Sequence, residues 1–509
     1  MNRRLLFLLI AILVVVCAWL FLHEKSAHSQ KSLTVFCAAN LKKPVEALAE
    51  QYRQEFGVQV SLTYGGTGTL LSQLQIAKQG DLFIAADDGS LEDARKKNLI
   101  HEVLPLVMQH PVIAVKKGNP HAIHVLKDLL IPEIKLAVPN PDSASIGRVT
   151  RKLLGAQWEP LANKAVVMKP TVTEVAADVQ LGAVDAAFVW DSTVPQFKEL
   201  EAIEAPELTQ HRERASAAVL AVCAQSQEAL RFARYLAAPD KGGIEFNKHG
   251  FTPAGGDKWA WKPEMILFSG GVNRLAIEKL LHQFADREDI SITTVFNGCG
   301  ILCATMKTMG DSSNPNFPDA YYACDVCFVP PVAQHFPEAV ILTETDIVIA
   351  VPKGNPHGVK TVADLAQPGL RVGLCNAEQS TLGYMTRAIL KNLNIWHSIE
   401  KNVAVQVPTA DFLINQMRAG GLDAAIVYRV NVLPQKEHLE AIALPADKAK
   451  AVQPFAVRGD SAHKELSRRL LAHLKENKSS FEQAGFSWRG DEAPVASDKL
   501  VIPDWLKNK

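Results

Sequence analysis

The sequence has no excess charge of either sign. Lys and Arg together number 54, Asp and Glu also number 54, and the formal net charge is zero. Binding to nucleic acid usually shows as a basic stripe, so nucleic acid is set aside as a partner. Catalytic signatures are also missing. No His-Glu-x-x-His, no Ser-His-Asp order and no paired carboxylates occur in the loops discussed below. The glycine-rich turn Gly65-Gly66-Thr67-Gly68-Thr69 lacks both a Gly-Lys-Ser/Thr ending and the Gly-x-Gly-x-x-Gly spacing of nucleotide loops. With no nucleophile–base pair visible, the expectation is a protein that is not an enzyme and needs no cofactor. Beyond the N-terminal Cys17, the first half holds only Cys37 and Cys223.

What is present is a duplication. Val112-Ile113-Ala114-Val115-Lys116-Lys117-Gly118-Asn119-Pro120-His121 returns as Ile347-Val348-Ile349-Ala350-Val351-Pro352-Lys353-Gly354-Asn355-Pro356-His357, with Gly118 and Gly354 236 positions apart. Leu181 to Trp190 returns as Ala419 to Tyr428, and Gly250-Phe251-Thr252 as Gly485-Phe486-Ser487. A period of that length is a doubled domain, not a solenoid repeat. The organisation read from it is residues 1–30 as an N-terminal segment and linker, 31–258 and 259–490 as two domains, and 491–509 as a tail.

The apolar run Leu5 to Leu22 follows Arg3-Arg4 and is long enough to span a bilayer as a helix. Either an uncleaved transmembrane anchor or a signal peptide cut near Ala27-His28-Ser29 fits it. Both place the bulk of the chain outside the cytoplasm, on the periplasmic face. In each half, apolar strand patterns alternate with amphipathic helices such as Pro44 to Phe56, which implies parallel α/β sheets. Asp311 to Asp319, rich in Ser, Asn and Pro, reads as an inserted surface loop.

Val35-Phe36-Cys37-Ala38-Ala39-Asn40-Leu41, Thr67-Gly68-Thr69-Leu70, Asp81-Leu82-Phe83-Ile84-Ala85-Ala86-Asp87 and Gly250-Phe251-Thr252 together resemble the molybdate-binding proteins of ABC transporters. The resemblance spans nearly all of residues 31–253 and, more weakly, 264–488. It implies two tandem periplasmic-binding-protein-like domains, each of two α/β lobes joined by crossing strands and closing on an oxyanion. It further implies molybdate or tungstate as ligand, sulfate-like anions next, and an ABC permease as partner. On the matched positions it implies a site of Asn40, Thr67, Ile146, Val172 and Trp190. Asn40 stands where the family usually has serine, and Trp190 where relatives carry tyrosine.

The chemistry fits independently of the family. A proton-free tetrahedral dianion needs donors only, and helix N-termini offer unspent N–H groups and a partial positive charge. Other readings stay open: Asn40 as a helix cap, Thr67 as turn chemistry, Trp190 as plain core.

In the second half the matching positions are Asn273, Cys299, Leu382, Ala410 and Tyr428. Val272 replaces Asn40, with Asn273 one step along, and Cys299 replaces the hydroxyl of Thr67. A thiol at a helix start has a lowered pKa. Cys299, Cys303, Cys324 and Cys327 could form disulfides, hold a metal, or leave Cys299 as a ligand contact. The competing functional readings are an anchored oxyanion sensor or scavenger, and a thiol- or metal-handling second domain.

Overall fold

A computed structural model describes residues 32–311, 313–444, 449–502 and 504–507. The expected spanning run at Leu5 to Leu22 lies outside the described residues. Among the described residues no helix is long and apolar enough to cross a membrane. The chain divides into two compact units, Met1–Trp259 and Ala260–Lys509. Trp259 belongs to the first because its ring packs on Tyr52, Phe56 and Tyr235.

The first unit has two sheets. One orders its strands Thr252–Pro253, Ile100–Gln109, Glu213–Leu220, Leu82–Ala85, Ser32–Ala38 and Gln59–Gly65; the other runs Val167–Lys169, Leu136–Pro139, Ala186–Trp190, Pro111–Lys116 and Leu200–Ile203. The parallel expectation holds for the strands it was read from, and the sheet as a whole is mixed. Ser32–Ala38 does pair in parallel with both Gln59–Gly65 and Leu82–Ala85, but Glu213–Leu220 pairs antiparallel to Leu82–Ala85. The cause is the crossing: the chain leaves the first lobe after Gln109, builds the second, and returns into the first sheet through Glu213–Leu220. Only His110 separates the outgoing strands Ile100–Gln109 and Pro111–Lys116.

Local sequence explains the elements. Helix Lys42–Phe56 buries Val45, Leu48, Ala49 and Tyr52 at helical spacing and stops at Gly57, whose φ of 71° suits glycine. Strand Leu82–Ala85 is buried along its whole length because helices cover both faces of the sheet.

The second unit repeats the plan with one change. A single strand, Glu338–Pro352, runs through both lobes, pairing with Lys450–Val457 in one and with Ala424–Tyr428 in the other. Residues read as the C-terminal tail contact this unit. Val495–Ala496 pairs with Glu338 and Ala339, and Tyr384 donates its hydroxyl to the Leu506 carbonyl at 2.8 Å. The inserted loop is likewise tied down at its end: Asp319 is buried and accepts from the Ile266 N–H and from Arg458.

Candidate functional site

In the first unit four helix starts meet at one cleft. It encloses about 200 Å³, counting space open to solvent, and is lined by Ala38 to Asn40, Gly65 to Thr67, Ala144 to Ile146, and Thr171 with Val172. Thr67, Ser145 and Val172 are the first residues of helices Thr67–Ala77, Ser145–Leu154 and Val172–Leu181. The first N–H groups of each helix have no partner within it; Gly68 and Thr69 give theirs to the Ser143 carbonyl and Glu174 gives its own to the Thr171 hydroxyl, and those at the very first positions are left for an anion. None of the lining residues is a carboxylate.

Asn40, Thr67, Ile146 and Val172 therefore lie together. The Thr67 hydroxyl accepts from the Ala86 N–H at 3.4 Å, which leaves its own proton for a guest. Asn40 is buried and gives one amide N–H to Gln109 Oε1 at 3.0 Å, where Ser192 also donates. That network holds one of its two amide protons and fixes its orientation. Trp190 is fully buried and does not line the cleft, and its indole Nε1 has no hydrogen-bond partner.

The two lobes touch across this cleft. Gly68 N–H donates to the Ser143 carbonyl at 2.9 Å. A Cβ on Gly66 would fall 2.3 Å from the Pro170 carbonyl oxygen and 2.4 Å from that of Ser143, so glycine is what permits the approach. Arg148 of the second lobe reaches Asp87 at 2.5 Å and Asp93 at 2.7 Å in the first. Burial pushes the Asp87 carboxyl up, while the Arg148 charge and the Ser90 hydrogen bonds pull it down. Pairwise motif matching missed Arg148, since Tyr384 stands at its place in the second copy and the second copy has no such pair to signal it.

The second unit forms a corresponding cleft of about 260 Å³, lined by Gly271, Val272, Asn297, Gly298, Cys324, Ser380, Pro408 to Asp411, Tyr428 and Asn431. Ala410 and Tyr428 line it. Asn273, Cys299 and Leu382 do not. Asn273 turns its amide to the Tyr322 carbonyl at 3.1 Å, Cys299 packs behind Gly270, and Leu382 is core. Asp411, one residue beyond the loop singled out in the sequence, does line it. Setting Thr173 against Asp411 in the two copies would have found it.

The cysteines do not form a four-thiol cluster. Cys299 donates to Cys324 Sγ at 2.9 Å, while Cys303 donates to the Phe328 carbonyl at 3.2 Å. Among the described residues no group of three or more His, Cys, Asp or Glu is placed to hold a metal ion. Burial pushes Cys299 up, but hydrogen bonds from Cys324 and Tyr321 outweigh it and hold the thiol below its ordinary range. Burial pushes Cys303 up to about 12.

The model of the family described as bacterial extracellular solute-binding protein matches residues 33–252 and again 267–487. A binding protein of Haemophilus influenzae is 29% identical over 225 residues, 44% of this chain and 91% of its own length. The molybdate-binding protein ModA of Mycobacterium tuberculosis is 28% identical over 167 residues, 32% of this chain and 62% of its own length. Among solved structures, the periplasmic molybdate-binding protein of Azotobacter vinelandii is 18% identical, covering 43% of this chain and 98% of its own, with a TM-score of 0.38.

Proposed function

The chain belongs to the bacterial extracellular solute-binding protein family, and from that premise we propose that its first domain captures a proton-free tetrahedral oxyanion, molybdate or tungstate, for an ABC permease. The observation that carries the reading is the composition of the first cleft: helix starts, the Thr67 hydroxyl and the Asn40 amide, with no carboxylate among the lining residues. Such a shell offers donors and no acceptor charge, which suits a guest with acceptor oxygens and no proton. The molybdate-binding relatives support the choice of anion.

Capture proceeds by closure. The Gly68–Ser143 hydrogen bond and the Arg148 pairs with Asp87 and Asp93 join the lobes, so the donor shell is complete only when they meet. The run Leu5 to Leu22 would export the protein and, if uncleaved, hold it at the outer face of the inner membrane beside the permease.

Calorimetric titration of the purified chain with molybdate, tungstate and sulfate tests this. The expected result is saturable binding of molybdate or tungstate with a rise in melting temperature. Absence of both heat and thermal shift at millimolar oxyanion rejects it.

A further inference from the structure

The second cleft keeps the helix starts of the first and changes the side chains. Helices Cys299–Met309, Thr381–Asn392 and Ala410–Arg418 begin around it, so unspent N–H groups still converge. The Tyr428 hydroxyl and Asn431 Oδ1 also line it; their residues are 3% and 5% exposed, and neither atom has a hydrogen-bond partner. Buried polar atoms are normally paired, each unpaired one costing about 1–3 kcal/mol. Two in one cleft point to a polar guest.

The decisive change is Asp411. It stands where the first domain has Thr173, whose hydroxyl is turned to Thr171 at 3.1 Å. Asp411 Oδ1 accepts from Asn431 Nδ2 at 3.3 Å, and Oδ2 would lie 3.9 Å from a Cβ on Gly271, so the carboxyl spans the cleft between the lobes. A carboxylate against a proton-free dianion is repulsive. The same carboxylate against a guest O–H is a charge-assisted hydrogen bond.

We infer that the second cleft binds a tetrahedral oxyanion that keeps a proton at neutral pH, of the hydrogen phosphate class, with the guest's O–H donating to Asp411 and the Tyr428 hydroxyl and helix N–H groups donating to its bare oxygens. This rests on the reading of these clefts as oxyanion sites, but gives the two domains different guests. Phosphate keeps a proton between pH 7 and 8, whereas sulfate and molybdate keep none. Asp411 therefore sorts ligands by protonation, a property that size alone cannot read. Burial pushes the Asp411 carboxyl up by more than the Arg274 charge draws it down.

The test is calorimetry on the full chain with inorganic phosphate, sulfate and molybdate at pH 7.5 (about neutral, as the proton argument requires), for the native protein, D411T and D411N. The expected result is phosphate binding that D411T weakens at least tenfold, with D411T gaining sulfate or molybdate at that cleft. D411N, which keeps the volume of the side chain, should narrow the preference for phosphate over sulfate. Melting curves of both variants show whether they fold. Native protein that binds phosphate no better than sulfate, or phosphate binding unmoved in a folded D411N or D411T, overturns the inference. Molybdate binding without any phosphate binding overturns it while leaving the first-domain reading intact. No oxyanion binding at all sinks both.

Discussion

The sulfurs of Cys299 and Cys324 lie 2.9 Å apart, with the Cys299 thiol donating to Cys324. The Cys324 N–H points to the same sulfur at 3.1 Å, as the Ala86 N–H points to Thr67 Oγ1 in the first domain. One hydrogen bond has been kept while a hydroxyl became a thiol. The space came from the neighbouring strand: Gly270 replaces Ala38, and a Cβ there would fall 2.2 Å from the Cys324 sulfur. Once Cys299 ionises, Cys324 can donate to its thiolate, so removal of Cys324 should be visible in titration. Cys324→Ala is expected to raise the pKa of Cys299, because burial then acts against fewer compensating bonds. Thiolate absorbance against pH, compared between native protein and variant, measures it; a midpoint that stays or falls would show that Cys324 does not stabilise the Cys299 thiolate.

Closure of the first domain depends on backbone approach at Gly66 and Gly68. A Cβ on Gly68 would fall 2.2 Å from the Asp142 carbonyl oxygen, and both contacts cross between lobes. Gly66→Ala or Gly68→Ala should leave each lobe folded but hold them apart. Molybdate affinity is expected to fall at least tenfold, about 1.4 kcal/mol. Small-angle scattering should show the variant failing to contract on adding ligand. Affinity equal to the native value would show that the shell does not need this contact.

Arg148 bears on both stability and closure. Its partner Asp87 is 1% exposed, so Arg148→Met leaves a buried carboxylate without its cation. A loss of about 2–3 kcal/mol is expected, with part of the effect moderated because Arg148 itself is 29% exposed. Adding Asp87→Asn to Arg148→Met removes the stranded charge and should restore much of that loss. Urea unfolding of the single and double variants gives the coupling, and simple additivity of the two changes would show that the pair is not a unit.

The duplication and the two-lobe plan were legible because repeats and apolar strands are local patterns. Recurring residues were legible as recurring, but not as partners. His121 and Asp185 recur in the second copy as His357 and Asp423, and the structure pairs them at 3.1 Å and 3.5 Å. Likewise His110 sits 2.9 Å from Asp191, and the second domain carries Asp346 3.0 Å from Arg429, the same place with the acidic and basic residues exchanged. Such pairs join residues about 60 to 80 positions apart across the lobe crossing, and no periodicity reports them. Asn273 shows the converse. Its amide suggested a ligand donor, but one step along a helix start turns a side chain from the cleft into the sheet, where backbone carbonyls take its protons.

Asp325 supplies a pH dependence for the second domain. It is buried, accepts N–H bonds from Val452 at 2.8 Å and Cys327 at 3.1 Å, and is nevertheless pushed up to about 6 from 3.8 by burial, which exceeds what those two bonds return. The folded pKa lies above the unfolded one. Between about pH 4 and 6 the native state therefore holds a proton that the unfolded state has released, and stability from this group falls as pH rises through that window. The penalty is absent below the unfolded value and complete above the folded one. A shift of about two units corresponds to roughly 3 kcal/mol. Asp325→Asn keeps an oxygen for one of the two N–H groups, since Cys327 bonds Oδ1 and Val452 bonds Oδ2, and removes the titration. The stability difference between variant and native protein should thus move in the variant's favour by that order as pH is raised from 4 to 7. Guanidinium unfolding at both pH values measures it, and a difference that is constant with pH would mean that the carboxylate is not paying a desolvation cost.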